Sequence, residues 1–242
     1  MIKTVLIDLD DTLWATQENN KAALGELYLL HNWSCGFTSF EDLFQYYYPH
    51  NEYLWGEYRE GRISKHELTI RRFSYFLEKI GSYTEDEILA LNEQFLDRTA
   101  MKEGVVEGAF DLLEYLSSLY KIVVVSNGFV EVQYRKMASA GLTPYIDEVV
   151  LSEEVGVSKP ARGIFDHALN ISHARKSETI FIGDSWSADI LGAQNAGLAS
   201  IWFNPSKAMP PKPLSEYRYP IYEVHTLLEI IPLMRSLLFK SL

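Results

Sequence analysis

The sequence predicts an α/β fold in which a doubly wound, Rossmann-like parallel sheet is interrupted after its first strand by a helical insertion. Short runs rich in β-branched residues recur along the chain and end at polar residues or glycine, which is typical of buried parallel strands. Apolar residues with helical spacing lie between these runs, and this alternation of strands and helices indicates a doubly wound sheet. The predicted strands are Thr4–Ile7, Ile122–Val125, Val149–Leu151, Thr179–Ile182 and Ser200–Phe203.

The helices between these strands are predicted from apolar residues that recur three or four positions apart. Glycines near the ends of the helical patterns suit a C-terminal cap or a close approach between helices. A proline-rich stretch, Met209–Pro213, predicts a surface loop before a last strand and helix. The helical patterns are Ala109–Leu119, Val132–Leu142, Ile164–Ile171 and Ile190–Leu198, and the glycines are Gly141, Gly192 and Gly197.

The alternation is broken between about residues 15 and 100, where helical spacing dominates and no buried strand is predicted. We therefore predict a core domain of residues 1–14 and 101–242 and a helical domain of residues 15–100. The insertion holds 16 of the chain's 32 aromatic residues, including Tyr46–Tyr48. Two compatible interpretations stay open: the rings fill the core of a helical bundle, or they form a lid that stacks on a flat ligand.

The charge balance makes several classes of partner unexpected. The 242 residues include 33 acidic and 22 basic side chains, which gives a net charge of −11. Long nucleic acids and anionic membrane surfaces are bound through basic patches, so neither is an expected partner. The single cysteine, Cys35, allows no intrachain disulfide, and no signal peptide or membrane span is recognisable. We expect a cytoplasmic protein, and its oligomeric state is not predicted.

Aspartates are concentrated in two short segments that each follow a predicted strand. Five of the chain's 11 aspartates lie in Asp8–Thr12 and Asp184–Asp189. An aspartate after a strand is often a helix N-cap, which would explain either segment by itself. However, the carboxyl ends of the strands form the ligand crevice of an open α/β sheet, so both segments should meet there. Gathered carboxylates need a cation between them, and oxygen-only ligands suit Mg²⁺, so we expect a hard-metal site.

Two further segments fit a bound phosphate. Ser126, Asn127 and Gly128 follow a predicted strand and place a hydroxyl group and free backbone N–H groups at the start of a helix, where anions bind readily. Lys159, followed by Pro160, offers a positive charge. Each segment taken alone is an ordinary turn or an ordinary surface lysine, and the order of the segments gives them their meaning.

That order carries a resemblance to a known family. In type, sequence order and strand context, the four motifs resemble the signature of the haloacid dehalogenase-like phosphatase superfamily, over residues 1–203. The helical insertion matches the family's cap domain, which follows the first strand. The motifs are Asp8-Leu9-Asp10-Asp11-Thr12, Ser126-Asn127-Gly128, Lys159-Pro160 and Gly183-Asp184-Ser185 continuing to Asp189.

A narrower resemblance points to the bacterial house-cleaning pyrimidine 5'-nucleotidases. It rests on short segments around the second, third and fourth motifs. These segments are Asn127–Phe129, Ser152–Val157 with Lys159-Pro160, and Asn195–Leu198 with Trp202–Asn204.

The resemblance implies a role for each aspartate of the motifs. Asp8 would be the nucleophile that forms an aspartyl-phosphate, and Asp10 would be the general acid and base. Mg²⁺ would be bound by Asp8, by the backbone carbonyl of Asp10 and by Asp184, with Asp189 binding directly or through water. Asp11 occupies a variable position of the motif and is assigned no role.

The resemblance also implies a phosphate site and a support for the first loop. Ser126, the backbone amides of Asn127 and Gly128, and the side chain of Lys159 would hold the oxygens of the transferred phosphoryl group. Thr12 would support the first loop from the second shell around the metal.

Asp10 favours a phosphate ester over a halogenated acid, because the dehalogenase branch of the superfamily lacks this aspartate. Our leading hypothesis is therefore a Mg²⁺-dependent phosphatase that hydrolyses a small molecule, a nucleoside 5'-monophosphate such as dUMP, dTMP or UMP. Alternatives are a sugar-phosphate or acylneuraminate-phosphate phosphatase, a phosphomutase, and a catalytically silent regulatory binder. The cap would choose the leaving group; its basic side chains are interpreted as solvated helix faces. These are Arg59, Arg62, Lys65, Arg71 and Arg72.

Overall fold

The computed structural model describes residues 1–239, and the chain divides into two compact units. Within the described residues, 1–16 and 103–239 form an α/β unit, and Gln17–Lys102 form a helical unit. Residues 240–242, at the end of the predicted core domain, lie outside the described residues.

A six-stranded parallel sheet forms the centre of the α/β unit, which confirms the predicted fold class. The strand order is β3-β2-β1-β4-β5-β6, so the order reverses between the neighbours β1 and β4. Each predicted strand is found within one residue of its predicted ends, and a last strand follows the proline-rich loop. The strands are β1 (Thr4–Ile7), β2 (Lys121–Ser126), β3 (Glu148–Leu151), β4 (Thr179–Gly183), β5 (Ala199–Phe203) and β6 (Ile221–Val224).

In the α/β unit, α-helices alternate with these strands. In the helical unit, the described residues form α-helices and one short 3₁₀ turn. The α-helices of the described residues are α1 (Thr16–Leu30), α2 (Phe40–Arg59), α3 (Lys65–Leu77), α4 (Glu85–Ala100), α5 (Ala109–Ser117), α6 (Val130–Ser139), α7 (Ser152–Val155), α8 (Arg162–Ile171), α9 (Leu191–Ala196) and α10 (Ile230–Phe239).

All four predicted helical patterns differ from the observed helices at an end, and α8 begins at Arg162 rather than at Ile164. Helix α5 is predicted to end at Leu119 but ends at Ser117, and the side chain of Leu119 is 55% exposed. Helix α6 is predicted to end at Leu142 but ends at Ser139. Helix α9 is shorter than predicted, because a π-helical turn at Trp186–Ile190 precedes it and Gly197 ends it with a left-handed φ of 81°.

The sheet is covered by helices on both faces because its central strands are apolar on both faces. In β1, Val5 and Ile7 pack with residues of α5, α6 and α10 in one buried cluster. Leu6, whose side chain points to the opposite face, packs with residues of α8 and α9 in a second cluster. Successive side chains of a strand alternate between faces, so a continuous apolar run needs a helical layer on each side.

The helical unit has clear start signals for two of its helices. Ser64 and Thr84 are N-caps of α3 and α4, and each accepts a hydrogen bond from the backbone N–H of a glutamate three residues later. The carboxylates of Glu67 and Glu87 accept hydrogen bonds in return from the backbone N–H groups of the capping residues. Such reciprocal caps satisfy donors that a helix end otherwise leaves without partners.

Aromatic rings form much of the core of the helical unit, as the first interpretation predicted. Tyr47 is 3% exposed, and its ring contacts those of Phe73, Phe76 and Phe95. Tyr53, in contrast, is 54% exposed.

The interpretation of the basic side chains was wrong for Arg72. This residue is 2% exposed and donates a hydrogen bond to Asn92. Its guanidinium lies 5.2 Å from the ring centre of Phe95 and 5.5 Å from that of Phe73. The weakly hydrated, planar guanidinium can be buried against rings, so a helical pattern of charges does not reveal which one faces inward.

None of the described helices has the length and apolar character needed to cross a membrane. Cys35 is a free, exposed thiol.

Candidate active site

The site lies where the strand order of the sheet reverses. Asp8 directly follows β1, and its backbone N–H donates to the carbonyl of Ile182 in β4 at 2.9 Å. Asp184 directly follows β4. Because β1 and β4 are parallel neighbours, their carboxyl ends bring these two aspartates to one edge of the sheet, where α/β proteins bind ligands.

Three carboxylates meet at this edge. One carboxylate oxygen from each of Asp8, Asp184 and Asp189 lies within 4.8 Å of the other two. The π-helical turn after β4 brings Asp189 back to the strand end, where the backbone N–H of Ser185 donates to Asp189 Oδ2 at 3.0 Å. A side chain at Gly183 would collide with the Asp189 carboxylate, so the close return of the turn depends on that glycine.

Lys159 places a buried positive charge among the carboxylates. Its Nζ donates a hydrogen bond to Asp8 Oδ1 and lies 2.8 Å from Asp189 Oδ1, and the residue is 2% exposed. The side chain of Asn127 holds the backbone of Lys159 with two hydrogen bonds of 2.9 Å. Asn127 thus joins the loop after β2 to the loop that carries the lysine.

The ionisation of this cluster follows from burial and from the mutual repulsion of its carboxylates. Burial raises the pKa of Asp8 well above its ordinary value, although the charge of Lys159 opposes the shift. Burial, together with the charges of Asp189 and Asp11, raises the pKa of Asp184 to about 7. Burial by itself would lower the pKa of Lys159, but the charges of Asp189 and Asp8 outweigh it and raise that pKa.

The donor set suits a hard divalent cation. It consists of carboxylate oxygens only, and a single ammonium group faces three carboxylates, so two negative charges remain uncompensated when all are ionised. Oxygen ligands of this kind are those that Mg²⁺ prefers. Asp8, Asp184 and Asp189 are therefore the residues that could hold a metal ion.

Thr12 joins the two aspartate segments. Thr12 is fully buried, and its Oγ1 donates to Asp184 Oδ1 at 3.1 Å. Thr12 Oγ1 also accepts a hydrogen bond from the backbone N–H of Asp184 at 3.1 Å. Trp202 adds a hydrogen bond from its indole N–H to the Asp184 carbonyl at 2.9 Å. These contacts orient the carboxylate of Asp184.

Asp10 lies in a second hydrogen-bonded group beside the first. Its carboxylate accepts from Lys136 Nζ at 2.8 Å, from Gln133 Nε2 at 2.6 Å and from the hydroxyl groups of Thr16 and Ser126 at 3.0 and 3.3 Å. Burial by itself would raise the pKa of Asp10, but the charge of Lys136 and hydrogen bonds from Lys136, Gln133 and Thr16 lower it. Asp10 is thus held as a carboxylate.

The loop after β2 connects the two groups. Ser126 is 1% exposed, and its Oγ accepts from the Gly128 N–H at 3.0 Å and from Gln133 Nε2 at 2.6 Å. A side chain at Gly128 would collide with that of Gln133, so the glycine makes room for the glutamine. Among the residues assigned to the phosphate, Ser126 contacts Asp10 and Lys159 contacts Asp8. Gly128 contacts Ser126, and Asn127 contacts Lys159.

Gln133 and Lys136 were missed by the sequence reasoning. In sequence they look like ordinary polar positions of an amphipathic helix. Their spacing of three residues on the helix that follows the Ser-Asn-Gly loop was the available signal, since such residues share a helix face.

Comparison with known proteins assigns the family. A family model described as haloacid dehalogenase-like hydrolase matches residues 2–197. The chain belongs to the haloacid dehalogenase-like hydrolases. The predicted resemblance is thereby confirmed at the level of the family.

This haloacid dehalogenase-like hydrolase is similar over most of its length to two pyrimidine 5'-nucleotidases and to a solved structure. It is 34% identical to the pyrimidine 5'-nucleotidase YjjG of Escherichia coli (strain K12), over 95% of this chain and 96% of YjjG. It is 32% identical to the pyrimidine 5'-nucleotidase PynA of Streptococcus pneumoniae (strain ATCC BAA-255 / R6), over 95% of this chain and 94% of PynA. The magnesium-bound crystal structure of the HAD-hydrolase YfnB from Bacillus subtilis matches with a TM-score of 0.84 and 28% identity, over 97% of this chain and 99% of that one.

Proposed function

We propose that this hydrolase is a Mg²⁺-dependent phosphomonoesterase that cleaves pyrimidine nucleoside 5'-monophosphates. The observation that carries the proposal is the buried Asp8 carboxylate, which lies against Lys159 and within a triad of metal-binding type. The substrate class is supported by the similarity to YjjG and PynA, which extends over 95% of the chain.

The carboxylates of Asp8, Asp184 and Asp189 would hold Mg²⁺, together with the backbone carbonyl of Asp10. When bound, the ion would shield the charge of the phosphate from the nucleophile and polarise the phosphoryl oxygens. The magnesium-bound structure of YfnB supports the choice of metal. Thr12 would keep the Asp184 carboxylate turned toward the other two.

Asp8 would attack the phosphorus atom, and the P–O bond to the nucleoside would break as an aspartyl-phosphate forms. Asp10, which its contacts hold as a carboxylate, would first take a proton from solvent and would give it to the leaving 5'-oxygen in that step. It would take a proton from water in the next step, in which water cleaves the aspartyl-phosphate and releases phosphate. Asp8 directly follows β1 and Asp10 lies two residues further on, so one strand end positions the nucleophile and the acid/base group.

Lys159 and the loop after β2 would hold the phosphoryl oxygens. An ammonium group has three N–H donors. Lys159 donates one to Asp8 Oδ1 and forms an ion pair with Asp189 Oδ1 at 2.8 Å, so a further N–H group would be available for a phosphate oxygen. Ser126, Asn127 and Gly128 lie in the loop just before α6, whose N-terminal end favours an anion. The Ser126 hydroxyl and the backbone N–H of Asn127 would donate to the phosphate, and the Gly128 N–H would share its hydrogen between Ser126 Oγ and a phosphate oxygen.

A substrate panel tests the proposal. We expect the purified protein to release phosphate from dUMP, dTMP and UMP in the presence of Mg²⁺, and EDTA should suppress the reaction. Purine nucleotides, sugar phosphates and an acylneuraminate phosphate are the comparison substrates, and phosphate release is the measured quantity. Good turnover of a sugar phosphate with no turnover of any nucleotide would contradict the proposed substrate, and isomerised product would indicate a phosphomutase. Absence of turnover on the whole panel would favour a regulatory binder.

The raised pKa of Asp184 predicts how pH and Mg²⁺ act together on stability. A carboxyl whose pKa rises to about 7 on folding stabilises the protein while protonated and loses that stabilisation as pH rises through 7. Without divalent cations, the unfolding temperature should therefore fall between about pH 5.5 and about pH 8. Because Mg²⁺ binds the deprotonated carboxylates, it should raise the unfolding temperature more at the higher pH.

Calorimetry with EDTA or with excess MgCl₂ at both pH values measures this effect. Asp184→Asn is the matched control, since the two proteins share all their other ionisable groups. The variant should lose most of the pH-dependent response to Mg²⁺. An equal stabilisation by Mg²⁺ at both pH values in the unmodified protein would contradict the prediction.

A further inference from the structure

Two residues on one face of α6 reach Asp10, and neither belongs to the four motifs. Gln133 is fully buried and Lys136 is 6% exposed. We propose that Gln133 and Lys136 are positioning residues that fix the carboxylate of Asp10 for proton transfer. The inference rests on the proposed role of Asp10 as general acid and base.

Lys136 is placed for this task rather than for solvent. Its Nζ lies 2.8 Å from Asp10 Oδ1 and 4.3 Å from the ring centre of Trp14. Burying an ammonium group is costly unless it is paired, and here a carboxylate and an aromatic face surround it. A lysine on the exposed face of α6 would need no such environment.

Gln133 holds the other oxygen of the same carboxylate. Its Nε2 donates to Asp10 Oδ2 and to Ser126 Oγ, both at 2.6 Å. The amide nitrogen must face Asp10, because an ionised carboxylate only accepts hydrogen bonds. Gly128 leaves the space that the glutamine side chain occupies.

Together the two side chains fix the orientation of the carboxylate plane. Lys136 and Thr16 donate to Oδ1, and Gln133 and Ser126 donate to Oδ2. Rotation of the carboxylate would break contacts at both oxygens. A proton-transfer group must be within hydrogen-bond reach of its target in a defined direction, so this restraint bears on catalysis directly.

The same helix also connects Asp10 to the phosphate side of the site. Helix α6 begins two residues after Gly128, and Gln133 contacts both Asp10 and Ser126. The acid/base carboxylate and the hydroxyl assigned to the phosphate are therefore held in register by one rigid element. Precise placement of such groups depends on supporting contacts of this kind.

The test compares Lys136→Met, Asp10→Asn and the double variant. Methionine keeps the apolar stem against Trp14 and removes the charge. With a pyrimidine nucleotide, we expect Lys136→Met to lower kcat by about 10- to 100-fold and to change KM by less than roughly threefold. In the Asp10→Asn background, Lys136→Met should lower kcat by less than about twofold further, since a residue that acts through Asp10 has nothing left to position. Independent losses in the double variant would overturn the inference.

A second substrate separates positioning from a structural role. p-Nitrophenolate leaves without protonation, so its release from p-nitrophenyl phosphate in a single turnover should keep the unmodified rate in Lys136→Met. A general loss of active-site structure would slow both substrates equally, and that result would also overturn the inference. If circular dichroism shows that Lys136→Met does not fold, Gln133→Met carries the same comparison, with the same selective loss expected.

Lys121→Met is the matched control. Lys121 pairs with Glu148 at 3.4 Å and begins β2, at the edge of the sheet opposite to the site. Its removal should leave kcat within about twofold. Different results would contradict the proposed function and the positioning role. Absence of phosphatase activity in the unmodified protein would overturn the proposed function. An active protein in which Lys136→Met is as active as Lys121→Met overturns the positioning role.

Discussion

Asp8→Asn should reduce phosphate release from a pyrimidine nucleotide by about 10⁴-fold or more, as expected for the loss of a nucleophile. Asparagine has nearly the same shape as aspartate, but its amide cannot attack phosphorus. The buried carboxylate of Asp8 contacts Lys159 and belongs to the triad, so the substitution also removes one possible metal ligand. Steady-state kinetics with saturating Mg²⁺ measures the loss. Mass spectrometry of acid-quenched protein should detect a phosphate adduct on the unmodified chain and none on the variant.

Asp11→Asn is the matched control for this experiment. Asp11 lies in the same loop, has no assigned role and adopts a left-handed φ of 59°. Asparagine tolerates that conformation as well as aspartate does, so the backbone should be unaffected. We expect this variant to keep its activity within about tenfold. Unmodified turnover by Asp8→Asn would exclude Asp8 as the nucleophile.

Lys159→Met should have the second largest effect and should change both activity and stability. Lys159 is the buried cation that contacts Asp8 and Asp189, so its removal leaves the carboxylate triad without that positive charge. Removing one partner of a buried ion pair costs about 3–5 kcal/mol. Without divalent cations, the free energy of unfolding should fall by about that amount, and Mg²⁺ should restore part of it. The rate should fall by about 10²- to 10³-fold, because a group that stabilises the phosphoryl oxygens is lost.

Denaturant unfolding with EDTA or Mg²⁺, together with kcat/KM, measures these effects. Lys3→Met serves as the control, since Lys3 pairs with Glu178 at 2.8 Å but its side chain is 66% exposed. Exposed pairs contribute about 0–1 kcal/mol, so this variant should remain close to the unmodified protein in both assays. Equal destabilisation of the two lysine variants would show that the triad does not depend on Lys159 for charge compensation.

Much of the fold could be predicted because each strand of a covered parallel sheet carries its own local signal. The run Thr4–Ile7 is apolar on both faces, and the structure shows all four residues buried. The ends of helices were predicted less well. Helix α9 starts after a π-helical turn whose position depends on the return of Asp189 to the strand end, and that contact is not visible as an apolar pattern.

The part of the site that could be predicted consists of the residues that directly follow strands. Asp8 and Asp184 follow neighbouring parallel strands, so strand topology alone places them at one edge. The role of the Asn127 side chain was not predictable, because it holds the backbone of Lys159, 32 residues away. Arg72 shows the same limit in the helical unit: its burial depends on rings from two helices.

By itself, the sequence determined the α/β class, the helical insertion and the four motifs. The spacing of apolar residues, the runs of β-branched residues and the short motifs are all local properties of the chain. Only the tertiary structure decided which polar side chains meet. Lys136 and Gln133 look like surface residues of an amphipathic helix, yet packing of α6 turns them onto Asp10. The physical reason is that the cost of burying a charge depends on a partner brought from elsewhere in the chain, here 126 residues away.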